Sequence, residues 1–336
     1  MPADTHAIDV KTVVRHILPA PLTGWLDLFA FSYRRRRLRL THYLFAKLGY
    51  SIARRSDYYS VLPVLDEVEA TRRRWDRASE LPGITIDLEA MKDRLAILTT
   101  RWSAEYREAT GSYVADKRQR FGPGYPELDA RVLYYMLRET KPSAYLEVGS
   151  GLSTYYATLA ARRNAKAGAP MSITCVEPYP FDALKRLADV ELITAFVQDI
   201  PTARFEALED GDVLFIDSSH ALKIDSDVAY LFLEVVPRLK AGVTIHIHDV
   251  PFPFNTPFPA NTWLFGERWP VYWNEAMVVQ TFLAFNQAFE VTMSLPLIRH
   301  SDEAFLAAQF GHYVPVASDP DPPSSLWLRR LRSPTR

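Results

Sequence analysis

The chain has 336 residues, 48% apolar and 24% charged, with a formal net charge of −1. These are the proportions of an ordinary globular protein, and the balanced charge speaks against a general nucleic-acid binder. A single cysteine, Cys175, excludes an internal disulfide framework and a cysteine-based zinc cluster.

Met1 to Val10 is polar and mixed, unlike a secretory signal, and no apolar run approaches the ~20 residues that span a bilayer. The cytoplasm is the expected compartment. Residues 1–75 hold 13 Lys and Arg against 7 Asp and Glu, so the first quarter is basic and the remainder acidic. Within it Trp25, Leu28, Phe29 and Phe31 precede Arg34 to Arg37 and Arg39. That pattern suits peripheral contact with an anionic membrane surface, an acidic glycan or a protein partner. The sequence carries no signal of oligomeric state.

From Ile86 the pattern turns helical. Leu88, Met91, Leu95, Leu98, Trp102 and Tyr106 recur every three or four residues on one face. Residues 1–120 are therefore expected to form a basic, helical N-terminal extension. The turn Phe121-Gly122-Pro123-Gly124-Tyr125-Pro126 opens the second domain, 121–336, and a helix follows from Leu128 to Arg138.

Strands and helices then alternate with the rhythm of a parallel sheet. Ala144-Tyr145-Leu146-Glu147-Val148-Gly149-Ser150-Gly151-Leu152-Ser153-Thr154 reads as a buried strand, a glycine turn and a helix start capped by Ser153 or Thr154. Further strands are expected at Ser172 to Val176, Leu192 to Val197, Val213 to Ile216 and Val243 to Ile247, with a long helix from Asp227 to Leu239. An aromatic loop, 251–273, precedes a helix near Asn274 to Asn286. Two final strands, Phe289 to Leu295 and Ser325 to Arg329, have no crossover helix assigned between them, which favours antiparallel pairing.

Five strands end in polar residues: Glu147, Glu177, Gln198-Asp199, Asp217 and His248-Asp249. Ligands of open α/β sheets bind outside such strand ends, so these side chains are expected to converge. The backbone of Gly149, Ser150 and Gly151 lets a nucleotide-like ligand approach. Glu147 beside that turn repels a pyrophosphate and attracts a cation, which suits S-adenosylmethionine better than NAD. Glu177 is placed for the ribose hydroxyls, Gln198 and Asp199 for the adenine amino group, and Asp217 for the methionine end.

The blocks LEVGSGLST, TCVEPYP, FVQDIP, LFIDSSHALKIDSDV and GVTIHIHDV resemble the class I, Rossmann-like S-adenosylmethionine-dependent methyltransferases. The last two blocks are similar to bacterial small-molecule and sugar O-methyltransferases of the methyltransferase-24 type. The resemblance covers about Tyr125 to Arg329 and implies a doubly wound, mostly parallel seven-stranded α/β sheet with an antiparallel last strand. It implies methyl transfer to a small-molecule or glycan hydroxyl. Two alternatives stand beside it: an NAD-dependent oxidoreductase, disfavoured because Thr154 occupies the third glycine position of a dinucleotide fingerprint, and a catalytically silent member of the fold that works by binding.

Hydroxyl methylation needs alignment and a proton acceptor. The candidates are Asp217, His220, His248 and Asp249; His246, deeper in its strand, reads as a core histidine. Asp217 and Asp249 end neighbouring strands and can hold a divalent cation. Because Val250 follows Asp249 where related enzymes carry a further ligand, a metal-independent His/Asp arrangement is favoured. Phe252, Phe254, Phe258, Trp263, Phe265, Trp269, Tyr272 and Trp273 with Arg268 make the 251–273 loop either an acceptor lid or a satellite core. Tyr125 is a weak candidate for cofactor contact.

Overall fold

The computed structural model describes residues 38–332 apart from 54, 56, 123 and 267–269. Trp25, Leu28, Phe29, Phe31 and Arg34 to Arg37 of the basic segment, with Pro123, Arg268 and Trp269, thus lie outside the described residues. The chain divides into two compact units, Met1–Ala70 and Thr71–Arg336. No helix of the described residues is long and apolar enough to cross a membrane.

In the second unit, the 3.6-residue pattern after Ile86 becomes the helix Leu88–Ala109. Asp87 caps it by accepting from Ala90 N at 3.0 Å, and the buried stripe is Met91, Leu95, Leu98 and Tyr106. Its apolar face packs against the helix Glu127–Thr140. Buried Arg138 fixes the pair by donating to Glu105 through Nε (2.5 Å) and Nη2 (2.8 Å). Burying a guanidinium is tolerable only with such bidentate pairing. Residues 71–120 thus share one unit with the sheet.

That sheet has seven strands: β1 (Ala144–Val148), β2 (Ser172–Val176), β3 (Glu191–Ile193), β4 (Val213–Ile216), β5 (Thr244–Ile247), β6 (Phe289–Ser294) and β7 (Leu326–Arg330). The order is β3-β2-β1-β4-β5-β7-β6. β1 to β5 pair in parallel, and β7 lies antiparallel to both β5 and β6. Continuous apolar burial of β4, Val213 to Ile216, is what a sheet covered on both faces requires. The order reverses between β1 and β4, which opens a crevice at their carboxyl ends.

Four local expectations need correction. β3 stops at Ile193, and the chain reaches Gln198 through a 3₁₀ turn, Val197–Asp199. The glycine-turn helix begins at Leu152 with Gly151 at its cap, so neither Ser153 nor Thr154 caps from outside; Thr154 Oγ1 reaches back to accept from Gly151 N at 3.1 Å. The helix from Asp227 passes from α (Asp227–Tyr230) through a π turn (Leu231–Val235) to 3₁₀ (Val236–Arg238), where Pro237 withdraws an N–H. Finally, Leu295 starts a helix, Leu295–Ser301, capped by Ser294 with proline in its first turn, and Glu303–Gln309 follows. The antiparallel pairing of β6 and β7 holds, with those two helices between them.

Candidate active site

Two cavities open at the carboxyl ends of the strands. The first, about 430 Å³, is lined by Gly149, Glu177, Tyr179, Phe196, Gln198 and Asp217, among others. The second, about 710 Å³, is lined by Asp217, His220, Asp249, Phe258, Trp263 and Trp273, among others. Asp217, Ser218 and Ser219 line both. The end of β4 is therefore the partition between them.

Gly149 adopts φ +76°, and a Cβ there would stand 1.8 Å from the Asp217 carbonyl oxygen. Only glycine permits this turn. The constraint comes from β4 and not from an approaching ligand, so the same contact fixes both the turn and the partition. Beside it Glu177 accepts from Ser150 N at 3.2 Å and from Tyr179 N at 2.7 Å, which sets its carboxylate at the rim. Gln198 donates to the Asp225 carbonyl at 2.9 Å. Its Oε1 is buried without a hydrogen-bond partner, whereas Ser150 does not line the cavity. An orphaned polar atom in the wall of a concave site marks where a polar ligand completes the bonding.

Not every predicted residue reaches this cavity. Glu147 is fully buried behind the turn, where Ser153 Oγ and Thr154 Oγ1 donate to it, the latter at 2.7 Å. Burial outweighs those hydrogen bonds and pushes its carboxyl up to about 8. Glu147, Ser153 and Thr154 thus fasten β1 to the helix Leu152–Lys166 and line neither cavity. Asp199 is exposed, because the 3₁₀ turn directs Gln198 to the cavity instead. Tyr125 is buried in the core, its ring 4.8 Å from that of His248. His246 is likewise a core residue: it bonds Ser325 Oγ at 2.9 Å and stacks 3.9 Å from Trp327.

The four residues predicted to do chemistry do converge. His220 Nε2 stands 3.3 Å from both Asp217 Oδ1 and Asp249 Oδ2. His248 Nδ1 stands 3.4 Å from Asp217 Oδ1 and 3.6 Å from Asp249 Oδ1. Each imidazole is backed by a carboxylate from another element. Glu275, first residue of the helix Glu275–Leu283, lies 2.7 Å from His220 Nδ1. Asp129, from the helix Glu127–Thr140, lies 3.3 Å from His248 Nε2 and accepts from Ser324 N at 2.9 Å.

The electrostatics follow from that arrangement. Burial would push both imidazoles down. Hydrogen bonds that its ring donates to Asp217 and Glu275, with the field of Asp249, hold His220 well above the ordinary range. The fields of Asp249 and Asp217 with the Asp129 hydrogen bond do the same for His248. Burial opposes ionisation of Asp217, yet the two histidines keep its carboxyl below the usual range. Burial raises Glu275 against the pull of His220. These groups titrate as one set.

Backbone conformation is unusual at the same place: His220 and Asp249 have φ of 58° and 56°. Left-handed backbone at bulky residues is held only where the surroundings dictate it. Here Asn274 N (2.9 Å) and Glu275 N (3.1 Å) both donate to the His220 carbonyl. Glu275 thereby fixes the backbone and the ring of the same residue.

The 251–273 loop divides between the two readings of it. Phe252 is buried in the core, whereas Phe258, Trp263 and Trp273 line the larger cavity. Trp273 lies 4.5 Å from the His220 ring. Sequence reasoning missed Glu275 and Asp129, which are 55 and 119 positions from their histidines. Their only local signal was a carboxylate in the first turn of a helix, which ordinarily serves the helix dipole.

The strand order, the glycine turn against Asp217 and the strand-end cavities define a class I, Rossmann-like methyltransferase fold. Residues 146–250 match the family model of a methyltransferase domain. A comparison with curated proteins gives no match. Similar solved structures include an S-adenosylhomocysteine-bound methyltransferase, PaMTH1, from Podospora anserina (17% identity, 81% of this chain and 99% of that one, TM-score 0.36). A putative O-methyltransferase from Klebsiella pneumoniae shows 11% identity over 80% of this chain and 95% of that one, TM-score 0.37. TomG, an O-methyltransferase from Streptomyces achromogenes involved in tomaymycin synthesis and solved with S-adenosylmethionine, shows 13% identity over 74% and 92%, TM-score 0.35. Likenesses this distant say nothing about the substrate of this chain.

Proposed function

We propose that this chain methylates a hydroxyl of a small molecule or glycan, using S-adenosylmethionine. The observation that carries the reading is the shared partition: one aspartate, Asp217, faces the nucleotide-sized cavity on one side and the aromatic cavity on the other. The smaller cavity suits the methyl donor. Glu177 would hold its ribose, the orphaned Gln198 Oε1 its adenine amino group, and Tyr179 and Phe196 the face of the base. Bound there, the donor supplies a sulfonium methyl open to in-line displacement.

The protein's own part is to present the acceptor and manage one proton. Asp249 is a quarter exposed and reaches the aromatic cavity, so its carboxylate is the surface at which a hydroxyl proton arrives. His220, held protonated between three carboxylates, stabilises the alkoxide that forms; His248 braces the pair from below. The proton acceptor is then the His/Asp cluster as a unit.

A second reading is favoured by one observation. His248 Nδ1 is buried without a hydrogen-bond partner, and with Asp217 and Asp249 it offers three ligand atoms within 4.8 Å of one another. One imidazole and two carboxylates suit a divalent cation, which would acidify a bound hydroxyl. Methyl transfer measured after exhaustive EDTA treatment separates the two. Undiminished turnover supports the metal-free cluster, whereas loss with recovery on adding Mg²⁺ supports the cation.

For the first unit, we propose peripheral contact with anionic membrane. Leu40, Tyr43, Leu44 and Leu48 are 54–70% exposed beside Arg39 and Lys47. Flotation with anionic vesicles, and none with neutral ones, is expected; no flotation with either would retire the idea.

A further inference from the structure

We propose that the acceptor is a flat aromatic hydroxyl compound that carries no negative charge. This deepens the methyltransfer reading and rests on it. Three features of the larger cavity support the inference.

The first is the wall. Trp273 begins 4.5 Å from the His220 ring, and Trp263 continues it 5.3 Å further on at an interplanar angle of 32°. An indole surface thus runs outward from the cluster. A ring laid against it carries its hydroxyl to Asp249, with the face-to-face or tilted contacts that aromatic pairs prefer. A third cavity of about 240 Å³ shares Phe258 and Pro322 with the larger one, and there Phe254 stacks on Phe258 at 4.1 Å. The apolar surface therefore extends beyond one ring.

The second is the scarcity of hydrogen-bond partners. Pro251, Pro257, Pro320 and Pro322 form much of the remaining wall, and proline has no N–H. Of the other polar side chains on the wall, Ser218 donates to Glu275, Ser219 to Asp227 and Ser324 to Asp249, and Lys117 is paired with Asp321, so each already has a partner. A sugar would bury several hydroxyls here without partners, and each unpaired hydroxyl weakens binding. An aromatic ring leaves nothing unsatisfied.

The third is charge. Among the described residues the wall carries Asp217, Asp249 and Asp321 against Lys117 and the protonated His220; Lys117 already stands 3.5 Å from Asp321, and His220 stands 3.3 Å from both Asp217 and Asp249. A carboxylate or phosphate on the acceptor would enter a field in which carboxylates outnumber cations and both cations are already engaged. Aromatic faces next to carboxylates instead welcome a neutral or cationic group.

The test uses the full chain and four matched probes: tyramine, 4-ethylphenol, 3-(4-hydroxyphenyl)propionate and 4-ethylcyclohexanol. Calorimetry with S-adenosylhomocysteine comes first, because failure to bind it defeats the cofactor reading and this inference with it. Methyl transfer is then followed by mass spectrometry. Tyramine and 4-ethylphenol are expected to exceed the propionate and the cyclohexanol at least tenfold in kcat/KM. Asp321→Lys should raise kcat/KM for the propionate at least fivefold, and Trp273→Leu should lower it about tenfold for the phenols, both with S-adenosylhomocysteine affinity unchanged. The inference is overturned if the propionate matches tyramine or the cyclohexanol matches 4-ethylphenol. It is equally overturned if protein that binds S-adenosylhomocysteine methylates neither phenol.

Discussion

Glu275 Oε2 lies 2.7 Å from His220 Nδ1, and the Glu275 N–H donates to the His220 carbonyl at 3.1 Å. One residue therefore sets the ring, the protonation and the left-handed backbone of another that borders the acceptor cavity. Glu275→Gln keeps the size of the side chain and removes its charge. It should lower kcat by about 10- to 100-fold, the scale of a lost acid–base orienting group. Affinity for S-adenosylhomocysteine should not change. An equal loss of cofactor affinity would mean that Glu275 supports the fold rather than the chemistry.

Gly149→Ala places a methyl carbon 1.8 Å from the Asp217 carbonyl oxygen, with backbone on both sides of the clash. Neither strand end can yield without moving Asp217. The variant should lose at least about 2 kcal/mol of stability and at least tenfold in S-adenosylhomocysteine affinity. Chemical denaturation and calorimetry read the two effects separately. A variant that melts and binds as the parent does would show that the close approach is not needed.

Glu147 gives a pH prediction with a definite sign. Its carboxyl is raised from 4.5 to about 8 by burial, so the folded protein holds that proton more tightly than the unfolded chain. The resulting stability is complete below pH 4.5 and is lost as pH rises through 8. Glu147→Gln removes the titration. Its unfolding free energy should therefore gain on the parent by a few kcal/mol between pH 5 and 9. Parallel pH profiles for the two proteins would contradict the burial account.

Much of this was legible in the sequence, for a local reason. A strand end followed by a turn is a short-range pattern, so Glu177, Asp217, His220, His248 and Asp249 are found just beyond the strands that precede them. Other features depend on contacts that spacing does not encode. Ser153 and Thr154 look like caps in the sequence, but β1 brings Glu147 onto their hydroxyls. Asp199 and Gln198 are adjacent, and only the 3₁₀ turn decides which of them reaches the cavity. Asp129 is joined to His248 by the fold across 119 positions. The helix after β6 was hidden because Leu295 to Ile298 continues an apolar run, although Ser294 before Leu295-Pro296 is a start signal.

Asp129 is fully buried and accepts from the backbone of Ser324 (2.9 Å) and Ser325 (3.3 Å) as well as from His248. Asp129→Ala leaves two backbone donors and an imidazole unpartnered. About 3–5 kcal/mol of stability should be lost, which equilibrium unfolding would detect. A loss below 1 kcal/mol would mean that water replaces the carboxylate without penalty.

The central claim is that the strand-end cavity takes an adenosyl ligand with Glu177 at its rim. Calorimetric titration with S-adenosylhomocysteine, on the parent and on Glu177→Ala, tests it most directly. The account predicts saturable 1:1 binding that weakens at least tenfold in the variant, with no displacement by NAD. Absence of binding by the folded parent, equal affinity in the variant, or displacement by NAD would contradict it.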